Sequence, residues 1–192
     1  MTPNDLAVRQ MIERVIELTR TYAIWWQIVE KSNLDRYSMV IESHEDFFTA
    51  TTHSLFQGFT IVACQLFEKK ENTISLRSLV DVLALTDSTS AQRLETDIKG
   101  KWHLIKKVIQ IRGNVYAHRN KIRPPETLFS EVGLTSNEMR EILDLARDVV
   151  SSLAESAGIE PRADIEEKIR RREEYSREDA RRIMEALEKH AH

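Results

Sequence analysis

Residues 47–67 read Phe47-Phe-Thr-Ala-Thr-Thr-His-Ser-Leu-Phe-Gln-Gly-Phe-Thr-Ile-Val-Ala-Cys-Gln-Leu-Phe67, a run of 21 without Asp, Glu, Lys or Arg in a 192-residue chain that is 31% charged. About 20 residues suffice to cross a bilayer. The run nevertheless holds Thr49, Thr51, Thr52, His53, Ser54, Gln57, Thr60 and Gln65, too many polar side chains for lipid. It is therefore expected to be the central helix of a folded core rather than a membrane span.

Outward from that helix the apolar spacing stays helical. Leu6 to about Lys31 carries Met11, Ile12, Val15, Ile16, Leu18, Tyr22, Trp25, Ile28 and Val29 near a 3.6-residue period. Ser43 and Asp46 read as a capping box opening the uncharged helix, which should run to about Lys70. A short helix follows over Ser75–Leu85, then a second long one from about Ser90 to Ile122, stopped by Pro124-Pro125. Thr135 and Glu138 form another capping box, ahead of a helix over Ser136–Ser156. Gly (5) and Pro (4) make up about 5% of the chain against a usual ~12%, too few for an all-β fold with its frequent turns. The expectation is an all-α bundle of four to five helices over residues 1–157. Beyond Gly158-Ile-Glu-Pro161, residues 158–192 read as a charged helical C-terminal extension. Its Arg162–His192 stretch balances nine basic against nine acidic residues, and the Ser176…Asp179 box suggests a helix from about Arg177. A thin apolar stripe (Ile165, Ile169, Ile183, Met184, Leu187) could dock on the bundle or on a second subunit; the alternative is a solvated surface helix.

A single cysteine, Cys64, excludes an internal disulfide framework and a Cys-based zinc site, and reads as a small core residue of a reduced, cytoplasmic protein. The first residues show no basic stretch leading into an apolar run. His44, Asp46 and His53 match no common ligand spacing, so no metal and no cofactor are expected.

Charge is unevenly spread. From Ile98 to Pro125 there is no acid, while Lys99, Lys101, Lys106, Lys107, Arg112, Arg119, Lys121 and Arg123 give +8. The chain as a whole is −3, so the remainder carries −11. A basic helix on an acidic protein either attracts phosphates or pairs with acidic neighbours in its own bundle. Near its end stands Ile111-Arg-Gly-Asn-Val-Tyr-Ala-His118-Arg-Asn120. Asn114 and His118 are four apart and share a helix face. On an ideal helix Arg112 leads His118 by about 240°, so the two meet only if the turn is distorted or two copies of the helix come together. A histidine close to neutrality moves protons, and an arginine holds a phosphate and stabilises developing charge. Together these roles suffice to cleave RNA through its own 2′-hydroxyl. The plain alternative is a capping histidine and a surface arginine in an ion pair.

Arg112-Gly-Asn-Val-Tyr-Ala-His118 resembles the Arg-x(4–6)-His signature of the HEPN superfamily, and within it the abortive-infection, Abi U-type branch. The order of elements agrees over about residues 5–157: the uncharged helix ending Leu66-Phe67-Glu68, the short Ser75–Leu83 helix, then the motif late in a long helix. The resemblance implies a bundle that forms a homodimer, with RNA as ligand and a metal-independent endoribonuclease of the toxin or phage-defence type. By that match Arg112, His118 and Asn114 are the catalytic set. Lys106, Lys107, Tyr116, Arg119, Lys121 and Arg123 would line the RNA-binding surface. A cognate antitoxin or regulatory protein would be a further partner, and no membrane is implied. Some members of the superfamily are non-catalytic RNA- or protein-binding bundles, which is the alternative function. Gly113 departs from the polar residue common after the motif arginine, and suggests close approach by a helix or by RNA. Asn120 stands where members paired with a nucleotidyltransferase carry Tyr, so that partner is not expected.

Overall fold

A computed structural model describes residues 3–71, 73–113 and 133–189. Among them the chain forms nine helices and no strand: α1 Pro3–Val29, α2 Lys31–Arg36, α3 Ser38–Ser43, α4 Glu45–Phe67, α5 Leu76–Leu83, α6 Ser88–Gly100, α7 Trp102–Ile111, α8 Ser136–Ser156 and α9 Arg162–Glu188. No described helix is long and apolar enough to cross a membrane.

Helix α1 is the axis of the bundle. It packs most extensively on α4 and α9, then on α8. Val8, Met11, Ile12, Val15, Ile16, Leu18, Tyr22 and Ala23 are all buried along it. Each such aliphatic or aromatic side chain contributes roughly 1.5–3 kcal/mol by leaving water. Thr19 lies in the same layer, fully buried, with Oγ1 donating to the Val15 carbonyl at 2.7 Å so that no polar atom is orphaned. Phe59, Leu66 and Phe67 of α4 and Met139, Ile142, Ala146 and Val149 of α8 complete the main core. A smaller cluster of Ile28, Tyr37, Val40, Phe48 and Met184 closes the other end.

Three helix boundaries differ from those the sequence suggests. Ser43 does not cap α4. It is the last residue of α3, and its hydroxyl donates back to the Met39 carbonyl at 2.7 Å; α4 begins after His44 with no side-chain cap. Tyr37 and Val40, buried in the smaller cluster, draw the preceding segment into helix and so consume the serine. The long helix expected over 90–122 is broken at Lys101 (φ −100°, ψ 7°) into α6 and α7. Gly100 ends α6 at a site where helix is cheap to stop. Lys101 then pairs with Glu141 of α8, and Trp102 turns beneath Arg77 of α5, whose guanidinium lies 4.6 Å from the ring centroid. The final helix starts at Arg162, not Arg177, and Ser176 is buried in its middle. Between α8 and α9, Gly158 takes φ +63°. Its N–H bonds to Glu155 O, and that of Ile159 to Ala154 O, a Schellman closure that needs a left-handed residue.

Helix α9 docks rather than floating in solvent. Ile165, Ile169, Ala180 and Met184 are buried on one stripe with Glu173 and Ser176 between them. Glu173 is 6% exposed and accepts hydrogen bonds from Arg140 and Arg147 of α8 and from Arg177, each at 2.5 Å. Burial pushes its carboxyl up. Arg147 and Arg140 outweigh that and hold it below the ordinary glutamate range. A depressed folded-state pKa adds stability above the unfolded value of about 4.3, and that stability is lost as pH falls through the folded pKa. Removing one partner of a buried pair costs about 3–5 kcal/mol, and Arg140 and Arg177 are part-exposed, so Glu173→Ala should cost about 3 kcal/mol at pH 7. For a chain of this size that lowers Tm by roughly 6–12 °C. Thermal melts from pH 3 to 7 should also show a weaker acid-side fall in the variant; an unchanged Tm at pH 7 would remove Glu173 from the account of how α9 docks.

Candidate functional site

The charge-free helix α4 ends at Phe67, and Glu68 closes it with its N–H on Cys64 O at 2.8 Å. Helix α7 packs on α4 and buries Leu104, Ile105, Val108 and Ile111. The residue after Ile111 therefore emerges beside the end of α4. That residue is Arg112. Its Nη2 contacts Glu68 Oε1 at 2.8 Å and Oε2 at 2.7 Å, and the Glu68 carboxylate also faces Lys70 at 3.2 Å. The arginine side chain is 24% exposed and its partner 22%. Both contacts run from one nitrogen, so the carboxylate does not close the two-nitrogen fork by which arginine takes a phosphate. Arg112 Nε is buried and without a hydrogen-bond partner.

Regular α geometry stops at Ile111, and Arg112 and Gly113 continue it as a wider, π-type turn. His118, to which the 240° offset from Arg112 refers, lies outside the described residues. A Cβ placed on Gly113 would meet nothing within 4 Å. Packing among the described residues therefore gives no reason for glycine there.

Arg112 opens onto a cavity of about 1000 Å³. Helix α1 supplies Arg9, Gln10, Met11 and Arg14 to it, and α4 supplies Ile61, Cys64, Gln65 and Glu68. Lys70 and Ile74 line it from the connection to α5. Cys64 is buried at 2% exposure. Burial pushes its thiol up to about 11, against the opposing pull of Arg112, so it is neutral at physiological pH and no nucleophile.

Of the basic residues between 98 and 113, four face carboxylates of their own chain. Lys99 pairs with Glu95, Lys101 with Glu141, Lys107 with Glu138 at 2.6 Å, and Arg112 with Glu68. Lys107 also donates to the Gly133 carbonyl at 3.0 Å. Lys106 is exposed and makes no ion pair among the described residues. Asn114, Tyr116, His118, Arg119, Lys121 and Arg123 lie outside the described residues. Among the described residues no three His, Cys, Asp or Glu side chains group as a metal site. Sequence reading did not assign Glu68 or the α1 wall to the site. The available signal for Glu68 was that it is the first charge after 21 uncharged residues, at the very end of a core helix.

The chain is thus an all-α bundle in which the arginine after the basic helix lines a cavity beside the close of the uncharged helix. The AbiU2 family model, a HEPN family, matches residues 7–186, and the chain belongs to that family. It is an abortive-infection HEPN-like protein. No curated protein and no solved structure matches it.

Because Gly113 is helical and unobstructed, Gly113→Ala should fold with Tm unchanged or raised by a degree or two, as expected for ~0.4–1 kcal/mol of lost unfolded-state freedom. A fall in Tm measured by circular dichroism would mean that a contact within the chain does require the glycine.

Proposed function

We propose that the chain is a metal-independent endoribonuclease of the abortive-infection type. The observation that carries the reading is the placement of Arg112: part-exposed, held by Glu68, and facing a cavity large enough for a nucleotide. An arginine already fixed in orientation loses little side-chain entropy when it takes a phosphate. In this reading Arg112 binds the scissile phosphate and stabilises the charge that builds on it. His118 takes the proton from the ribose 2′-oxygen, that oxygen attacks the adjacent phosphorus, and the P–O5′ bond breaks as the leaving 5′-oxygen takes a proton from the imidazolium so formed. The products are a 2′,3′-cyclic phosphate and a 5′-hydroxyl. Asn114, four residues before His118, orients the reacting groups. Lys106, with Tyr116, Arg119, Lys121 and Arg123, guides the RNA strand, and Lys107 adds to the local positive field. The working form is a homodimer, in which Arg112 of one protomer stands with His118 of the other. RNA is the substrate, and a cognate antitoxin or regulatory protein restrains the activity in the reducing cytoplasm.

One observation favours the second reading, a non-catalytic RNA- or protein-binding bundle. Each of Lys99, Lys101, Lys107 and Arg112 already has a carboxylate partner in its own chain, as purely structural cations would.

Cleavage of tRNA, rRNA and mRNA in EDTA separates the two. The wild type should leave cyclic-phosphate ends, and Arg112→Ala and His118→Ala should each lower the rate by about 100-fold or more. Full activity in either variant would move the chemistry elsewhere. No cleavage of any RNA by the wild type would favour the binding bundle.

A further inference from the structure

The face of α1 that remains wet has no role in the chemistry proposed above. Arg9, Gln10, Glu13, Arg14 and Glu17 are exposed, and all line the cavity. From Arg9 to Glu17 that wall is about 12 Å long at the helical rise. Its charges are mostly spoken for. Arg14 pairs with Glu17 at 2.8 Å, and Glu13 faces Lys168 at 3.8 Å. On the opposite side Glu68 engages Arg112 and Lys70. Among the described residues Arg9 is a lining cation for which no ion pair is made.

The two helical walls also match in a second respect. Gln10 on α1 and Gln65 on α4 both expose a primary amide to the same space. A primary amide carries two donors and an acceptor in a plane, the pattern that reads a base edge. Of the apolar lining side chains Ile61 is part-exposed, while Met11 is buried in the core. Charged and polar side chains supply most of the lining, with Ile61 and Ile74 among the apolar ones, and at about 1000 Å³ the cavity is at the upper end of the roughly 300–1000 Å³ that encloses a compact organic ligand. A nucleotide has this character: an apolar face, a polar edge and an anion at either side.

We infer that the α1–α4 cavity is a nucleotide-selective subsite of the RNA-binding site. One unpaired nucleotide enters it, its base lies against Ile61, and Gln10 and Gln65 read its edge. Arg9 takes the neighbouring phosphate. The inference rests on the proposed function, since it places this nucleotide next to the phosphate at Arg112. It makes the bundle selective among single-stranded sequences through α1, a helix that bears none of the motif residues.

The test is binding, not cleavage. Fluorescence anisotropy of the full chain in EDTA is measured with labelled single strands of A, C or U about ten nucleotides long, within the site size of single-strand binders. They carry 2′-O-methyl groups, which block the attacking oxygen and prevent their cleavage. The wild type should bind one base at least about fivefold more tightly than another, the low end for one bidentate amide–base contact. Gln10→Leu and Gln65→Leu should collapse that spread. Arg9→Gln should weaken all three equally and lower the slope of log affinity against log salt by about 0.7, one phosphate contact to a single strand. All three side chains are exposed, so melts of the variants should match the wild type. No base preference in the wild type, or a preference and salt slope untouched by these changes, overturns the inference. If that happens while unmodified RNA is still cut in an Arg112-dependent way, the nuclease reading stands alone. Base-selective binding that follows Gln10, Gln65 and Arg9 without any cleavage keeps the subsite and removes the nuclease.

Discussion

Helix α1 is wrapped on three sides. That constraint governs the rest of the molecule. A 27-residue helix with Val8, Met11, Ile12, Val15, Leu18 and Tyr22 all buried cannot satisfy itself against one neighbour. It needs α4, α8 and α9 together, and these take up every face but one. The strip left in water is the charged edge from Arg9 to Glu17, and it becomes a wall of the cavity that Arg112 also lines. The position of the site is thus a by-product of how the core closes. The helices that surround α1 also determine where it stays open.

The buried Glu173 works in the opposite sense from the apolar layers. A well-packed apolar residue there would often be as stable or more so, because an ion taken from water recovers little net energy from its partners. What the carboxylate adds is directional. Arg140, Arg147 and Arg177 converge on it from two helices, so α9 has one register against α8 in which no charge is stranded. A stripe of Ile, Ala and Met alone would tolerate slippage.

The fold was readable where side-chain pattern and local chemistry agreed. The Thr135–Glu138 capping box forms as the residues suggest, and Ser75 caps α5 with Ser78 returning the bond. It was unreadable where tertiary partners decided. The stretch expected as one helix from 90 has an unbroken apolar period, yet a lysine salt bridge to α8 and a tryptophan under Arg77 break it at Lys101. The stripe of α9 falls at 165, 169, 173, 176, 180 and 184, and its middle two positions are Glu and Ser, so periodicity breaks where the packing does not. The same holds at the site. Arg112 was visible through its motif, because the motif is local. Glu68 was invisible as its partner: 44 residues separate them, and only the packing of α7 on α4 brings the guanidinium to that carboxylate.

The solitary thiol of Cys64 does more than fill space. It is one of the groups lining the cavity, and its acidity is set by two opposed influences: burial, which raises it to about 11, and the guanidinium of Arg112, which lowers it. Any anion that neutralises Arg112 removes the second influence and leaves the thiol still harder to ionise. The cavity is therefore walled at this point by a group that stays neutral and unreactive whether the space is empty or filled, and the chain has no second thiol to behave otherwise.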